Sequence, residues 1–189
     1  MPRAGLTRTR VVDEAGFLAD ELGLDHFTLA ALAERLGVRQ PSLYKHIESM
    51  GGLQRDISVA AKGALAYVLA KAAIGRAGGH AIASIARAYR SWAKEHPGLY
   101  AASQRPPAAG DAENEAISRA AVQVIADVLA ANGLSGDDAV HVIRALRASL
   151  HGFVVLETAG AFALDADVND SFDIMLDGFV RSFGGTLST

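Results

Sequence analysis

Cysteine is missing from all 189 residues, which removes disulfides, thiolate metal sites and a cysteine nucleophile at once. Long apolar stretches are missing too: no uninterrupted run approaches the roughly 18 residues that a membrane-spanning helix needs. The opening segment MPRAGLTRTR is basic, but Asp13 and Glu14 follow it where a secretory leader would turn apolar. Positive charge is in short supply, with 18 Lys and Arg against 21 Asp and Glu and a net charge of −3. Even residues 1–56 hold seven basic and eight acidic side chains. This balance argues against bulk electrostatic coating of nucleic acid and leaves room for a local contact surface. Together these absences predict a soluble, cytoplasmic protein.

What the sequence has is helical periodicity. Half of the residues are apolar, enough for a sizeable core, and they recur at a spacing of three and four with little two-residue alternation. Val11, Ala15, Leu18 and Leu22 form one stripe, closed by Gly23; Leu29, Leu32, Ala33 and Leu36 form another, opened by Thr28 as N-cap and closed by Gly37. A short third helix carries Leu43, Tyr44 and Ile47. Ser49 is placed to cap a fourth, and further stripes run to Phe183 with breaks at residues 75–79, at His96-Pro97, across 97–110 and at Asn132-Gly133. The pattern predicts an all-α protein of about nine helices. Short helices with tight turns give way to longer Ala- and Val-rich ones near residue 48, so the expected division is 1–48 and 49–189.

The stretch GVRQPSLYKH, residues 37–46, joins the second and third helices. Ala33 is small where two helices cross, Gly37 can take the positive φ of a corner, and Val38 and Leu43 can close a small core. Gln40, Pro41, Ser42, Tyr44, Lys45 and His46 are then left facing outward. Ser42, Tyr44, Lys45 and His46 can donate to phosphate oxygens, Gln40 can pair with an adenine edge, and Pro41 can rest on a thymine methyl. No acid interrupts them, although acids outnumber bases in the chain, which favours a helix that enters a DNA groove over an ordinary solvated face.

The run LGLDHFTLAALAERLGVRQPSLYKHIESMGGL, residues 22–53, resembles the N-terminal DNA-binding domain of TetR-family transcriptional regulators. The resemblance implies a homodimeric repressor that binds a palindromic double-stranded operator and is released by a small molecule held in the C-terminal bundle; the aromatic residues around the His96-Pro97 break suggest an apolar effector. Carried over by position, it assigns Thr28, Arg39, Gln40, Pro41, Ser42, Tyr44, Lys45 and His46 to the DNA-facing set. Three positions depart from the family pattern. Arg39 stands where Ser or Thr commonly caps the third helix, Met50 stands where a phosphate-binding Lys is common, and Ile47 replaces the commoner Phe. SLHGFVVLE, residues 149–157, resembles the Trp-His-Gly signature of one branch, with Leu150 in place of Trp.

Other chemistry finds little purchase. The six histidines form no i, i+3 or i, i+4 pair, and HExxH, Walker A, GxGxxG and G-x-S-x-G patterns are missing. His141 and His151 lie on roughly opposite sides of one helix at about 100° per residue. Asp137-Asp138 and Asp165/Asp167 read as helix caps. No catalytic residue, metal site or cofactor is expected. Tyr89, Trp92, His96, Leu99 and Tyr100 cluster in sequence around a helix break and are candidates for a pocket wall or for core. Leu146, Leu150, Phe153, Glu157, Phe172, Met175, Leu176 and Phe179 lie on the last two long stripes, which in the TetR family pair across a two-fold; packing inside the subunit is the alternative for them. Two other functions stay open at this level: a helical dimer that binds small molecules without operator recognition, and a helical-bundle enzyme.

Overall fold

A computed structural model describes residues 5–184 of the chain, with side chains to Arg181, so Phe183 lies outside the described side chains. Among the described residues every regular element is helical: α1 (Arg8–Leu22), α2 (Leu29–Leu36), a 3-10 helix η1 (Gln40–Lys45), α3 (Met50–Ala73), α4 (Gly78–Glu95), α5 (Pro97–Ser103), α6 (Ala112–Ala130), α7 (Gly136–Thr158) and α8 (Val168–Gly184). Two compact units emerge. The first takes the described residues up to Ala64 with His96–Ser118; the second takes Leu65–Glu95 with the residues from Arg119 onward. This division by compactness is discontinuous in sequence and differs from a single cut at residue 48.

The first unit is built from short helices fixed at their ends. Thr7 Oγ1 accepts from the Arg10 amide at 3.2 Å to start α1, and Ser49 Oγ accepts from the Gly52 amide at 3.0 Å to start α3. Val11, Ala15, Leu18, Leu32, Leu43, Leu53 and Ile57 fill its interior. The His96-Pro97 break receives a partner from a distant element. Asp20 of α1 accepts the Leu99 amide at 2.8 Å and forms a hydrogen bond with His96 Nδ1 at 3.0 Å, capping α5 from across the unit. Gly98 lets α5 approach so closely that a Cβ there would lie inside the Ala19 carbonyl of α1.

The second unit packs α4 against α7 and α8. The guanidinium of Arg90 sits 4.6 Å from the Phe172 ring centroid and donates twice to Glu157, at 2.7 Å each. Lys94 reaches the same carboxylate at 2.5 Å, and these donors, led by Arg90, hold the Glu157 carboxyl below its ordinary range.

The packing corrects half of the expected two-fold interface. Leu146, Leu150, Phe172 and Leu176 are each 1% exposed inside a single subunit. Their area is already consumed by the core, so they have none to give a second chain. Glu157 is taken by Arg90 and Lys94, while Phe153, Met175 and Phe179 are half-buried.

Candidate nucleic-acid interface

The helix-turn-helix forms where local rules place it. Thr28 Oγ1 accepts from the Ala31 amide at 3.2 Å, opening α2. Gly37 closes it at φ 66°, a left-handed corner in which its amide reaches Glu34 O and the Val38 amide reaches Ala33 O. The next segment is a 3-10 turn instead of an α-helix. Arg39 supplies no side-chain cap, and Pro41 stands in the first turn. The Ser42 amide bonds Arg39 O, and the His46 and Ile47 amides share Leu43 O.

Behind η1, Leu43 and Ile47 are buried and set its rotation. Thr28, Arg39, Gln40, Pro41, Tyr44 and Lys45 are exposed, and Ser42 and His46 are half-buried. Tyr44, at 52% exposure, is a large aromatic side chain left in water, and among the described residues no ion pair engages Arg39 or Lys45. An outward face of hydrogen-bond donors with two unpaired cations suits a phosphate-lined groove.

Beside η1 lies a cleft of about 590 Å³ lined by Arg8, Tyr44, Lys45, His46, Glu48 and Arg55, among others. Its two arginines are fixed by carboxylates. Arg8 binds Asp56 at 2.7 Å; Arg55 binds Asp111 and Glu113 at 2.6 Å each. The Arg55 guanidinium draws the Asp111 carboxyl down to about 2. Arg35, on the back of α2, holds Glu14 at 2.9 Å and Glu21 at 2.6 Å. None of these arginines stood out in sequence, because their partners lie many residues away and share no helical spacing with them.

The expected pocket wall is distributed between the compact units. Tyr89 and Trp92 are buried in the second unit. In the first, Tyr100 is buried, Leu99 is half-buried against Gly16, and His96 is engaged by Asp20. Asp137 and Asp138 stand in the first turn of α7, where acids are favourable to the helix dipole, and Asp167 Oδ1 accepts from the Asn169 amide at 2.6 Å, as a cap should.

An exposed, acid-free recognition turn held by a glycine corner defines a helix-turn-helix DNA-binding regulator. Residues 82–179 match the family "Tetracyclin repressor-like, C-terminal domain". An HTH-type transcriptional regulator of Mycobacterium tuberculosis is 37% identical over 98% of this chain and 88% of its own length. Another, from Bacillus subtilis, is 34% identical over 95% of this chain and 93% of its own. The chain belongs to the TetR family of transcriptional regulators. Its fold is also that of a TetR variant from Acinetobacter baumannii in complex with minocycline, with a TM-score of 0.72, 23% identity, and coverage of 98% of this chain and 100% of that one.

Proposed function

We propose that this regulator is a repressor that binds a palindromic operator as a homodimer and leaves it when a small, apolar effector is bound. Residues 1–48 carry DNA recognition, and residues 49–189 carry effector binding and dimerisation. The observation that supports this most is the outward face of η1 and its flanks, where Arg39, Gln40, Pro41, Tyr44 and Lys45 are exposed with no acid between Arg39 and His46. In this reading Thr28, Ser42 and His46 complete the contact set, Lys45 and Tyr44 hold phosphates, and Gln40 reads a base edge. A two-fold dimer presents two such turns to half-sites about one helical turn, roughly 34 Å, apart. The effector acts by its differential affinity for a state whose two recognition turns do not match that spacing. The minocycline complex of the Acinetobacter neighbour supports a small-molecule effector. The curated relatives are transcriptional regulators, so no catalysis is assigned, and the protein acts in the cytoplasm.

Selection of bound duplexes from fragmented source-genome DNA tests the proposal, with wild type compared to Tyr44→Ala and Lys45→Ala. Wild type should enrich a palindrome, and both variants should enrich it less. With roughly six phosphate contacts per dimer, affinity should fall about a thousandfold or more between 50 and 200 mM salt. A stable dimer that enriches no duplex would leave a small-molecule-binding protein without an operator.

A further inference from the structure

Inside the first compact unit lies a polar cluster that DNA recognition does not use. Ser58 and Lys62 stand one turn apart on α3, only 2% and 7% exposed, and Asn114 of α6 is 3% exposed. Lys62 Nζ donates to Asn114 Oδ1 at 2.6 Å. Ser58 Oγ, by contrast, is buried with no hydrogen-bond partner among the described residues. Ile57 and Ala61 are buried on the same stretch of helix, and Gly63 brings Ile117 of α6 against α3.

A hydroxyl stripped of water and left unpaired is unfavourable, and so is a buried ammonium. A lysine this deep is uncommon, and a well-packed apolar residue of similar volume often replaces a buried charge without loss of stability. The two positions, four apart, also share one face of α3. A helical side chain leans over the turn that precedes it, and for Lys62 that is the turn of Ser58. An ammonium and an unpaired hydroxyl one helical turn apart, both withdrawn from water, supply donors for an anionic acceptor, and charge-assisted hydrogen bonds are strong in such a medium. A carboxylate has one oxygen for each donor.

We propose that the effector is not wholly apolar but an amphipathic monoanion, an apolar body bearing one carboxylate, whose oxygens accept from Ser58 Oγ and Lys62 Nζ. The inference rests on the reading of the chain as an effector-controlled regulator. It makes Lys62 a ligand-binding residue, and Asn114 a positioning residue that holds the ammonium in place.

The test uses the full-length protein and a panel of hexanoate to dodecanoate and phenylalkanoates, each beside the primary alcohol of the same skeleton. Melting temperature is measured for wild type, Lys62→Met and Ser58→Ala; release of a selected operator duplex is measured for wild type. Carboxylates should raise the wild-type melting temperature with an affinity at least about tenfold above their alcohols, as loss of one charge-assisted contact implies, and should release the duplex. Both variants should lose that preference. Without ligand, Lys62→Met should melt no lower than wild type, because the lysine serves binding and not the core. Equal action of acids and alcohols on wild type, no shift from either set, or a preference that survives Lys62→Met would overturn the proposal. So would a ligand-free Lys62→Met that melts well below wild type, since the lysine would then be a structural strut to Asn114. Retention of the duplex by ligand-free wild type reports on the regulator reading separately, and that reading survives if only the acid preference fails.

Discussion

Gly98 marks a place where two backbones meet. The sequence announces it as part of a helix break, His96-Pro97-Gly98, but the reason for a glycine there lies on α1, whose Ala19 carbonyl occupies the space of a Cβ. Neither partner is a flexible side-chain end that could swing aside, so Gly98→Ala must push α5 away from α1. It would also disturb the capping of the Leu99 amide by Asp20. Overpacking of this kind costs about 1–3 kcal/mol. Gly63 is the control: a Cβ there meets Ile117 Cδ1 at 3.6 Å, an ordinary contact. Since Ala is favoured over Gly in a helix interior by about 0.8–1 kcal/mol, Gly63→Ala should be neutral or stabilising. Thermal denaturation of the two variants should therefore move in opposite directions or separate by several degrees, with Gly98→Ala the lower. Similar melting temperatures for both would mean that α5 does not rest on α1 as described.

At the scale of elements, charge ties the first unit together. Arg55 on α3 holds Asp111 and Glu113 at the start of α6, and its guanidinium lowers the folded-state value of Asp111 from 3.8 to about 2. A depressed carboxyl contributes stability that is present above its unfolded value and is lost as pH falls through the folded one, here between about 4 and 2. Asp111→Asn should remove that increment. Urea midpoints of wild type should exceed those of the variant by a constant amount above about pH 5, and the gap should close as pH falls toward 2. A gap that does not change with pH would assign the role of Asp111 to neutral hydrogen bonding. This tie, like the Arg90–Glu157 pair, was invisible in sequence, because pairing between distant positions leaves no periodic trace. The helices themselves were legible, and so were the Thr28 and Ser49 caps and the Gly37 corner, because each depends on residues within a turn of one another. The outward exposure of Gln40, Pro41, Tyr44 and Lys45 was legible for the same reason, and so was the missing cap at Arg39. Periodicity shows which side of a helix is apolar but not what covers it. For Leu146, Leu150, Phe172 and Leu176 it leaves a two-fold surface and core packing both open, and their own subunit buries all four.

For the molecule as a whole, a two-fold contact through the same two helices would have to use their opposite faces, since the inner ones are buried. By length and composition α7 is apolar enough to cross a membrane, with a mean hydropathy of 1.4 over its most apolar window, yet only 39% of that window is buried in the chain. The residues left outside include Val155, Leu156 and, on α8, Ile174 at 71% exposure. Gly152 and Gly178 face open space, where another helix could come close. Exposed apolar area of this kind on a DNA-binding regulator is explained if a second copy covers it. Val155→Glu combined with Ile174→Lys should then sediment as a monomer at concentrations where wild type is a dimer, while the buried-position variant Leu150→Met should remain dimeric. The consequence for DNA is larger than the change in mass. Two linked recognition turns bind a palindrome with the second contact made at high effective concentration, and separated subunits lose that gain, which amounts to 10²–10⁴-fold, as an order-of-magnitude range, in such systems. Titration of a full palindrome and of a single half-site separates this from damage to the recognition turn. The double variant should bind the half-site as wild type does and the palindrome far more weakly. A variant that remains dimeric would place the two-fold contact on some other surface of the chain.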